Sequence, residues 1–327
     1  MKNTFSNKSQ KIALVGCGYW GTIVAKTLIS LKFNNIYIYD ENYRNAITLK
    51  NKFPNLNVSK SIDYILKEKN IVNCFLITPP SKNLDLLKKF IKYKKNIFVE
   101  KPAVKNLEQL KTIKKLIIKN KIKFMIGYVY CFNNQIEKIK KIIATKKLGK
   151  ILYINFQRQN LGPIRNDVDV DYDLTSHDLS ILLTFFNKIP KIVLKRKYSF
   201  LKKKISDISN LHLKLGNTVI DINNSWLNPT KIRKITIIGS KKMLSFNELN
   251  QENSIVIYNQ YAKYPDTKFF DKKFLKKKAY IYQGKKKSIS IKKTSPLNNE
   301  IIHFFKTKNP KTNIDFGIKI LNFLKRV

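Results

Sequence analysis

The apolar run that starts at Ile12 leads straight into Gly16-Cys17-Gly18-Tyr19-Trp20-Gly21, and the helical stretch TIVAKTLISL follows. Strand, G-x-G-x-x-G turn and helix in that order constrain the fold more than any other feature, because each glycine has its own steric task. Gly16 permits the tight turn, Gly18 lets a pyrophosphate approach the backbone, and Gly21 lets the helix pack closely on the strand. The helix N-terminus adds unpaired N–H groups and the positive end of a dipole. Gly16, Gly18, Tyr19, Trp20 and Gly21 therefore read as a dinucleotide-binding turn. Asp40 ends the second strand candidate, 19 residues past Gly21, where a carboxylate accepts hydrogen bonds from ribose hydroxyls. Asp40 followed by Glu41 disfavours a 2′-phosphate, which points to NAD over NADP. Arg44 is the opposing feature, a cation able to swing toward such a phosphate. Cys17, inside the loop, reads as a small filler.

From Lys11 to about residue 130, short apolar runs alternate with amphipathic stretches. Strand candidates are 12–16, 36–40, 57–60, 72–78, 96–100 and 123–129. This rhythm predicts a doubly wound parallel sheet with helices on both faces, a Rossmann domain over 1–130. Beyond it, two helical segments and the strand ILYINFQ precede many strands with few helices, and two helical segments close the sequence. The expectation for 131–327 is a substrate-binding and oligomerisation α+β domain with a large, mostly antiparallel open sheet. With 327 residues and 43% apolar side chains, two cores can be filled. Ten glycines and ten prolines exclude collagen-like and low-complexity chains. No apolar run approaches the roughly 20 residues of a membrane helix, and the polar opening MKNTFSNKSQ has no secretory core. Three scattered cysteines suggest neither a disulfide frame nor a zinc site. A cytoplasmic protein is expected.

The net charge of +44 suggests a nucleic-acid or anionic-membrane binder at first sight. Its composition argues otherwise. Only six of the 65 basic residues are arginine, the residue that forks onto phosphates and base edges. Lysines are spread over every element and accompany abundant Asn, Ile, Phe and Tyr. We read the charge as a compositional bias whose positive field would still favour a phosphate-bearing substrate.

Two further clusters stand at carboxyl ends of strands, where doubly wound sheets bind ligands. Thr78-Pro79-Pro80 ends the fourth strand and Glu100-Lys101-Pro102 the fifth. Thr78, Pro79, Glu100 and Lys101 thus join the cofactor-site candidates. With GCGYWG, ITPP, EKP, DLTSHDLSIL at 173–182, SWLNPTKIRKITIIGSKKML at 225–244 and PLNNEIIHFF, the chain resembles the glucose–fructose oxidoreductase / inositol dehydrogenase / rhizopine-catabolism (Gfo/Idh/MocA) family from about Lys11 onward. The resemblance implies an NAD(P)-dependent oxidoreductase acting on a sugar or cyclitol. Carried over by motif, the lysine of EKP is Lys101 and the D-x-x-x-H pair is Asp173 and His177.

The chemistry of these residues suits those roles. Four-residue spacing puts Asp173 and His177 on one helix face. Oxidising a CH–OH requires a base for the hydroxyl proton, and a histidine titrates near neutrality. Lys101 beside a cationic nicotinamide is disfavoured as ammonium and can donate a hydrogen bond to the reacting oxygen. Lys101 and His177 fall in different expected domains, so the catalytic group would assemble across the cleft between them. His212 and His303, outside such motifs, read as structural.

The run Asp167-Val168-Asp169-Val170-Asp171-Tyr172-Asp173 replaces the glycines that many family members carry there. Its D-x-D-x-D spacing faintly resembles a calcium loop, but Tyr172 occupies the place that needs glycine, and no metal is expected. GYWG, DLTSHDLSIL and SWLNPTK look most like the nucleotide-sugar branch. This implies a UDP-linked N-acetylhexosamine or hexosaminuronate as substrate, in surface polysaccharide synthesis. Arg165 is a candidate for its phosphate or carboxylate, and equally a surface arginine. A free sugar or cyclitol dehydrogenase and a non-catalytic NAD-binding protein remain the alternatives. A broad sheet with one open face suggests a homo-oligomer, dimer or tetramer.

Overall fold

A computed structural model describes residues 10–250, 254–263, 280–292 and 294–327. Contacts divide the chain into two compact units.

The first unit begins with β1 (Lys11–Val15), α1 (Tyr19–Ser30), β2 (Ile36–Tyr39), α2 (Tyr43–Lys52), β3 (Asn57–Val58), α3 (Ile62–Lys67), β4 (Ile71–Leu76), α4 (Pro80–Lys92), β5 (Asn96–Glu100), α5 (Leu107–Asn120) and β6 (Phe124–Gly127). The six strands form one parallel sheet in the order β3-β2-β1-β4-β5-β6. Strand order reverses between β1 and β4, so the carboxyl ends of these two neighbours open the crevice where such sheets bind ligands. Strands β1, β4 and β5 are almost wholly buried, as a sheet covered on both faces requires.

The second unit contains α6 (Asn134–Ala144), β7 (Ile151–Leu161), α7 (Ser176–Phe186), β8 (Lys191–Tyr198), β9 (Ile208–Leu215), β10 (Thr218–Ser225), β11 (Leu227–Gly239), β12 (Met243–Asn247), β13 (Ile255–Lys263) and β14 (Tyr280–Ile289). Its sheet runs β14-β13-β12-β11-β7-β10-β9-β8, and β7–β10 is the one parallel pair among these neighbours. Alternating burial along β9 and β10 gives this sheet one core face. The expected classes of both sheets are therefore observed.

Two helices follow, α8 (Pro296–Lys306) and α9 (Ile314–Leu324). Residues 294–326 group with the first unit, not with the second as a boundary at 130 would have it. The reason is packing. Phe304 of α8 is fully buried against Phe75 and Phe98 of the parallel sheet, with ring centroids 5.4 and 6.0 Å away. Gly317 brings α9 so close to β6 that a Cβ there would lie 2.4 Å from Ile126 Cδ1. Among the described residues no helix is long and apolar enough to cross a membrane.

Candidate active site

Within the first unit, the sequence candidates converge on the carboxyl ends of β1, β2, β4 and β5. Gly16 has φ +99°, and a Cβ there would lie 2.3 Å from the Ile77 carbonyl oxygen, so only glycine fits. At Gly21 a Cβ would meet the Gly16 carbonyl oxygen at 2.0 Å, which makes this glycine the contact between helix and turn. Gly18 differs. Its φ of −72° suits any residue, and nothing lies within 4 Å of a Cβ built on it. Neither backbone strain nor packing asks for glycine at this position, yet the absent side chain leaves space directly before α1. That helix has no side-chain cap and no acidic residue in its first turn, so its N-terminal amides and dipole face this space. The cradle fits the pyrophosphate of a dinucleotide. Beside it, a cavity of about 390 Å³ is lined by Cys17, Gly18, Tyr19, Thr22, Asn45 and Lys52.

Asp40 stands at the end of β2 as expected, and its carboxylate also ties two loops together. It accepts hydrogen bonds from Cys17 N at 2.7 Å, Asn42 N at 2.9 Å and Asn45 Nδ2 at 3.1 Å. Glu41 pairs with Lys82 at 3.2 Å on the surface. Arg44 is exposed on the first turn of α2. Burial, with the Asp40 charge adding to it, pushes the Cys17 thiol up to about 12, in keeping with an inert filler. Tyr19 projects outward at 83% exposure, whereas Trp20 turns inward. Thr78 donates its hydroxyl to Asn83 Oδ1, and Pro79 precedes the first turn of α4.

Glu100, also a cofactor-site candidate, has both carboxylate oxygens bonded within the protein. Its Oε1 accepts the Trp20 indole N–H at 2.7 Å and its Oε2 accepts Lys101 N at 3.1 Å. Burial pushes this carboxyl up to about 7, against the opposing effects of the Trp20 hydrogen bond and the Lys101 charge. Lys101 itself is half-buried at the turn that follows.

The second unit carries Arg165, Asp173 and His177. The expected single α-helical face is corrected here. Residues Asp171–Thr175 form a π-helical turn, and α7 begins only at Ser176. Such a wide turn often marks a functional site, because it re-aims side chains that a regular helix would fix. The Asp173 carboxylate accepts the Trp226 indole N–H at 3.2 Å and lies 3.8 Å from Arg165 Nη1. Arg165 forks onto Asp167 at 2.9 and 2.7 Å, so its guanidinium has an internal partner. Asp169 and Asp171 reach Lys197 at 2.8 and 3.1 Å, which balances the acidic run. His177 is half-buried at the start of α7.

Behind this turn lies a network that sequence reasoning missed. Buried Asp178, next to His177, accepts from Arg158 of β7 at 3.2 and 3.1 Å and from Asn224 of β10 at 3.0 Å. Asn224 also donates to Thr175 at 2.8 Å, and Thr175 donates to Asp171 at 2.6 Å. Adjacency to His177 was the one clue to Asp178. Arg158, Asn224 and Trp226 come from distant strands and gave no spacing signal.

Comparison with known proteins agrees with this geometry. Residues 10–128 match the family model GFO_IDH_MocA, described as an oxidoreductase family with an NAD-binding Rossmann fold. Inositol 2-dehydrogenase of Rhizobium meliloti (strain 1021) is 24% identical over 153 residues, which are 45% of this chain and 46% of that protein. The chain thus matches less than half the length of this curated relative. The structure of UDP-N-acetylglucosamine 3-dehydrogenase from Acidithiobacillus ferrooxidans superimposes with a TM-score of 0.76, covering 97% of this chain and 96% of that one at 17% identity. An Agrobacterium radiobacter oxidoreductase in complex with NAD+, L-tartaric acid and magnesium gives 0.76 over 97% of this chain and 94% of that one, at 13% identity. At these identities the structural matches establish a shared fold.

Proposed function

We propose that this chain, whose residues 10–128 match the Gfo/Idh/MocA oxidoreductase family with its NAD-binding Rossmann fold, transfers a hydride between nicotinamide and a secondary alcohol of a sugar. The observation that carries the reading is the open space at Gly18 before an uncapped helix, on the same sheet edge as Lys101. When bound, NAD supplies the hydride acceptor. The chain's own residues do the rest. Gly16 and Gly21 fix the turn, the first amides of α1 bind the pyrophosphate, and Asp40 takes the ribose hydroxyls. Lys101 donates a hydrogen bond to the reacting oxygen and stabilises developing negative charge on it. His177 accepts the hydroxyl proton, and Asp173, held by Trp226, orients the hydroxyl. Arg165 exchanges its Asp167 partner for a phosphate or carboxylate of the substrate.

For the substrate we favour a UDP-linked N-acetylhexosamine or hexosaminuronate used in surface polysaccharide synthesis. The +44 charge and Arg165 both suit a diphosphate. A free cyclitol is the second reading, supported by the similarity to inositol 2-dehydrogenase. NADH absorbance with UDP-N-acetylglucosamine and with myo-inositol separates the two. On whichever is oxidised, Lys101→Ala and His177→Ala should each lower turnover by about 10²- to 10⁴-fold while NADH affinity by calorimetry stays near that of the unaltered protein. Full turnover in both variants would overturn the assignment.

A further inference from the structure

Trp20 belongs to the dinucleotide turn and Lys101 to the turn after β5, and 80 residues separate Trp20 from Glu100. One carboxylate bridges them, with Trp20 Nε1 on one oxygen at 2.7 Å and Lys101 N on the other at 3.1 Å. The surrounding residues are shaped to it. A Cβ at Gly127, on the neighbouring strand β6, would come within 2.7 Å of Glu100 Oε1. Buried Tyr128 follows Gly127, and its hydroxyl is held in the neutral form chiefly by burial, with Cys131 and Glu100 adding to the effect. From α8 the fully buried Glu300 faces the same region. Burial and the Glu100 charge both favour its protonated form, and Lys311 opposes them.

We propose that Glu100 is a positioning residue, which locks the dinucleotide turn to the backbone of Lys101 through Trp20. The proposal rests on the reading of Lys101 as the group that meets the reacting oxygen. Both carboxylate oxygens are used, so protonation of Glu100 removes an acceptor from one of the two bonds and loosens the clamp. Loop and lysine then lose their common anchor. A displacement on the order of 1 Å at such a site can cost about 10²-fold in rate, although neither Trp20 nor Glu100 needs to touch the substrate.

The test uses the full chain, with two variants. Glu100→Gln replaces the acceptor facing Lys101 N with an amide that can accept through one atom only. Trp20→Phe keeps a ring and removes the N–H. The tryptophan emission that Trp20→Phe abolishes belongs to Trp20, since Trp226 is the other tryptophan. This component should titrate with a midpoint near the value of about 7 to which burial pushes Glu100, and become independent of pH in Glu100→Gln. In the NADH assay each variant should lower kcat by about tenfold to 10²-fold, with KM for the sugar little changed. The double variant should lose no more than the worse single one, because both act through one clamp. Trp20 emission that ignores pH in the unaltered protein, or losses that multiply in the double variant, would overturn the proposal. The emission titration needs no turnover. An active Lys101→Ala with the titration preserved would therefore overturn the role of Lys101 and leave the clamp standing.

Discussion

Gly18 and Gly21 lie three residues apart and exclude a side chain for opposite reasons. At Gly21 the obstacle is the protein's own Gly16 carbonyl, 2.0 Å from where a methyl carbon would sit; at Gly18 nothing lies within 4 Å. Gly21→Ala should therefore cost about 1–3 kcal/mol of stability, seen as a lower Tm without ligand. Gly18→Ala should leave Tm unchanged and weaken NADH binding by about tenfold or more. Equal Tm losses would contradict this division. Asp40 belongs to the same turn, since its carboxylate at the end of β2 holds Cys17 N. NADH should bind more tightly than NADPH, and Asp40→Ser should narrow the gap in a fluorescence titration. Glu100 makes a prediction of sign. Its carboxyl is raised from 4.5 to about 7 in the folded protein. Between those values the folded state keeps a proton that the unfolded chain has released, so stability falls as pH rises through the window. The contribution is about 3 kcal/mol, and Glu300, also raised, acts in the same direction. Urea unfolding at either end of this window should show a smaller decline for Glu100→Gln than for the unaltered protein.

At the level of elements, α7 is held from behind by a buried ion pair. Arg158 and Asp178 are 5% and 1% exposed, and Asn224 Nδ2 donates a further hydrogen bond to the aspartate. Burial raises the Asp178 carboxyl, and Arg158 is the largest effect opposing it. Removing the arginine alone leaves a charge without its partner in a dry site. Arg158→Met should cost about 3–5 kcal/mol, and Arg158→Met combined with Asp178→Leu should recover most of that. Denaturant midpoints for the single and double variants provide the check. The same network holds the turn before α7, which is π-helical where the spacing predicted a plain helix. Thr175 donates to Asp171 within the turn and accepts from Asn224 of β10, which ties the turn to the sheet.

At the scale of the whole molecule, the chain returns to its first unit after finishing its second. Phe304, Ile301 and Phe323 are all fully buried, and Phe304 completes an aromatic cluster with Phe75 and Phe98. Phe304→Ala should destabilise the dinucleotide-binding unit by about 3–5 kcal/mol. Because NADH binds the folded form, saturating NADH should recover part of the lost Tm. A variant whose melting transition is unchanged would show that α8 is dispensable to that unit. The large positive charge has no counterpart in any one element, so the binding of nucleic acid by this protein should be diffuse and collapse at physiological salt in a gel shift.

Local order in the sequence was enough for the parallel sheet, the glycine turn and Asp40. Each rests on residues close together in the chain: a buried strand reads as a continuous apolar run, and a tight turn before a helix needs glycine at fixed spacing. The mostly antiparallel second sheet was legible for the same reason. Tertiary structure alone decided which unit receives α8 and α9, because an amphipathic helix shows that it has a buried face but not which surface covers it. It also decided that Glu100 turns inward to Trp20, that Trp226 holds Asp173, and that Arg158 reaches Asp178. Such bonds join groups 20 to 80 residues apart. Their geometry exists only once the sheets have brought those groups together, and burial then raises the cost of breaking each bond.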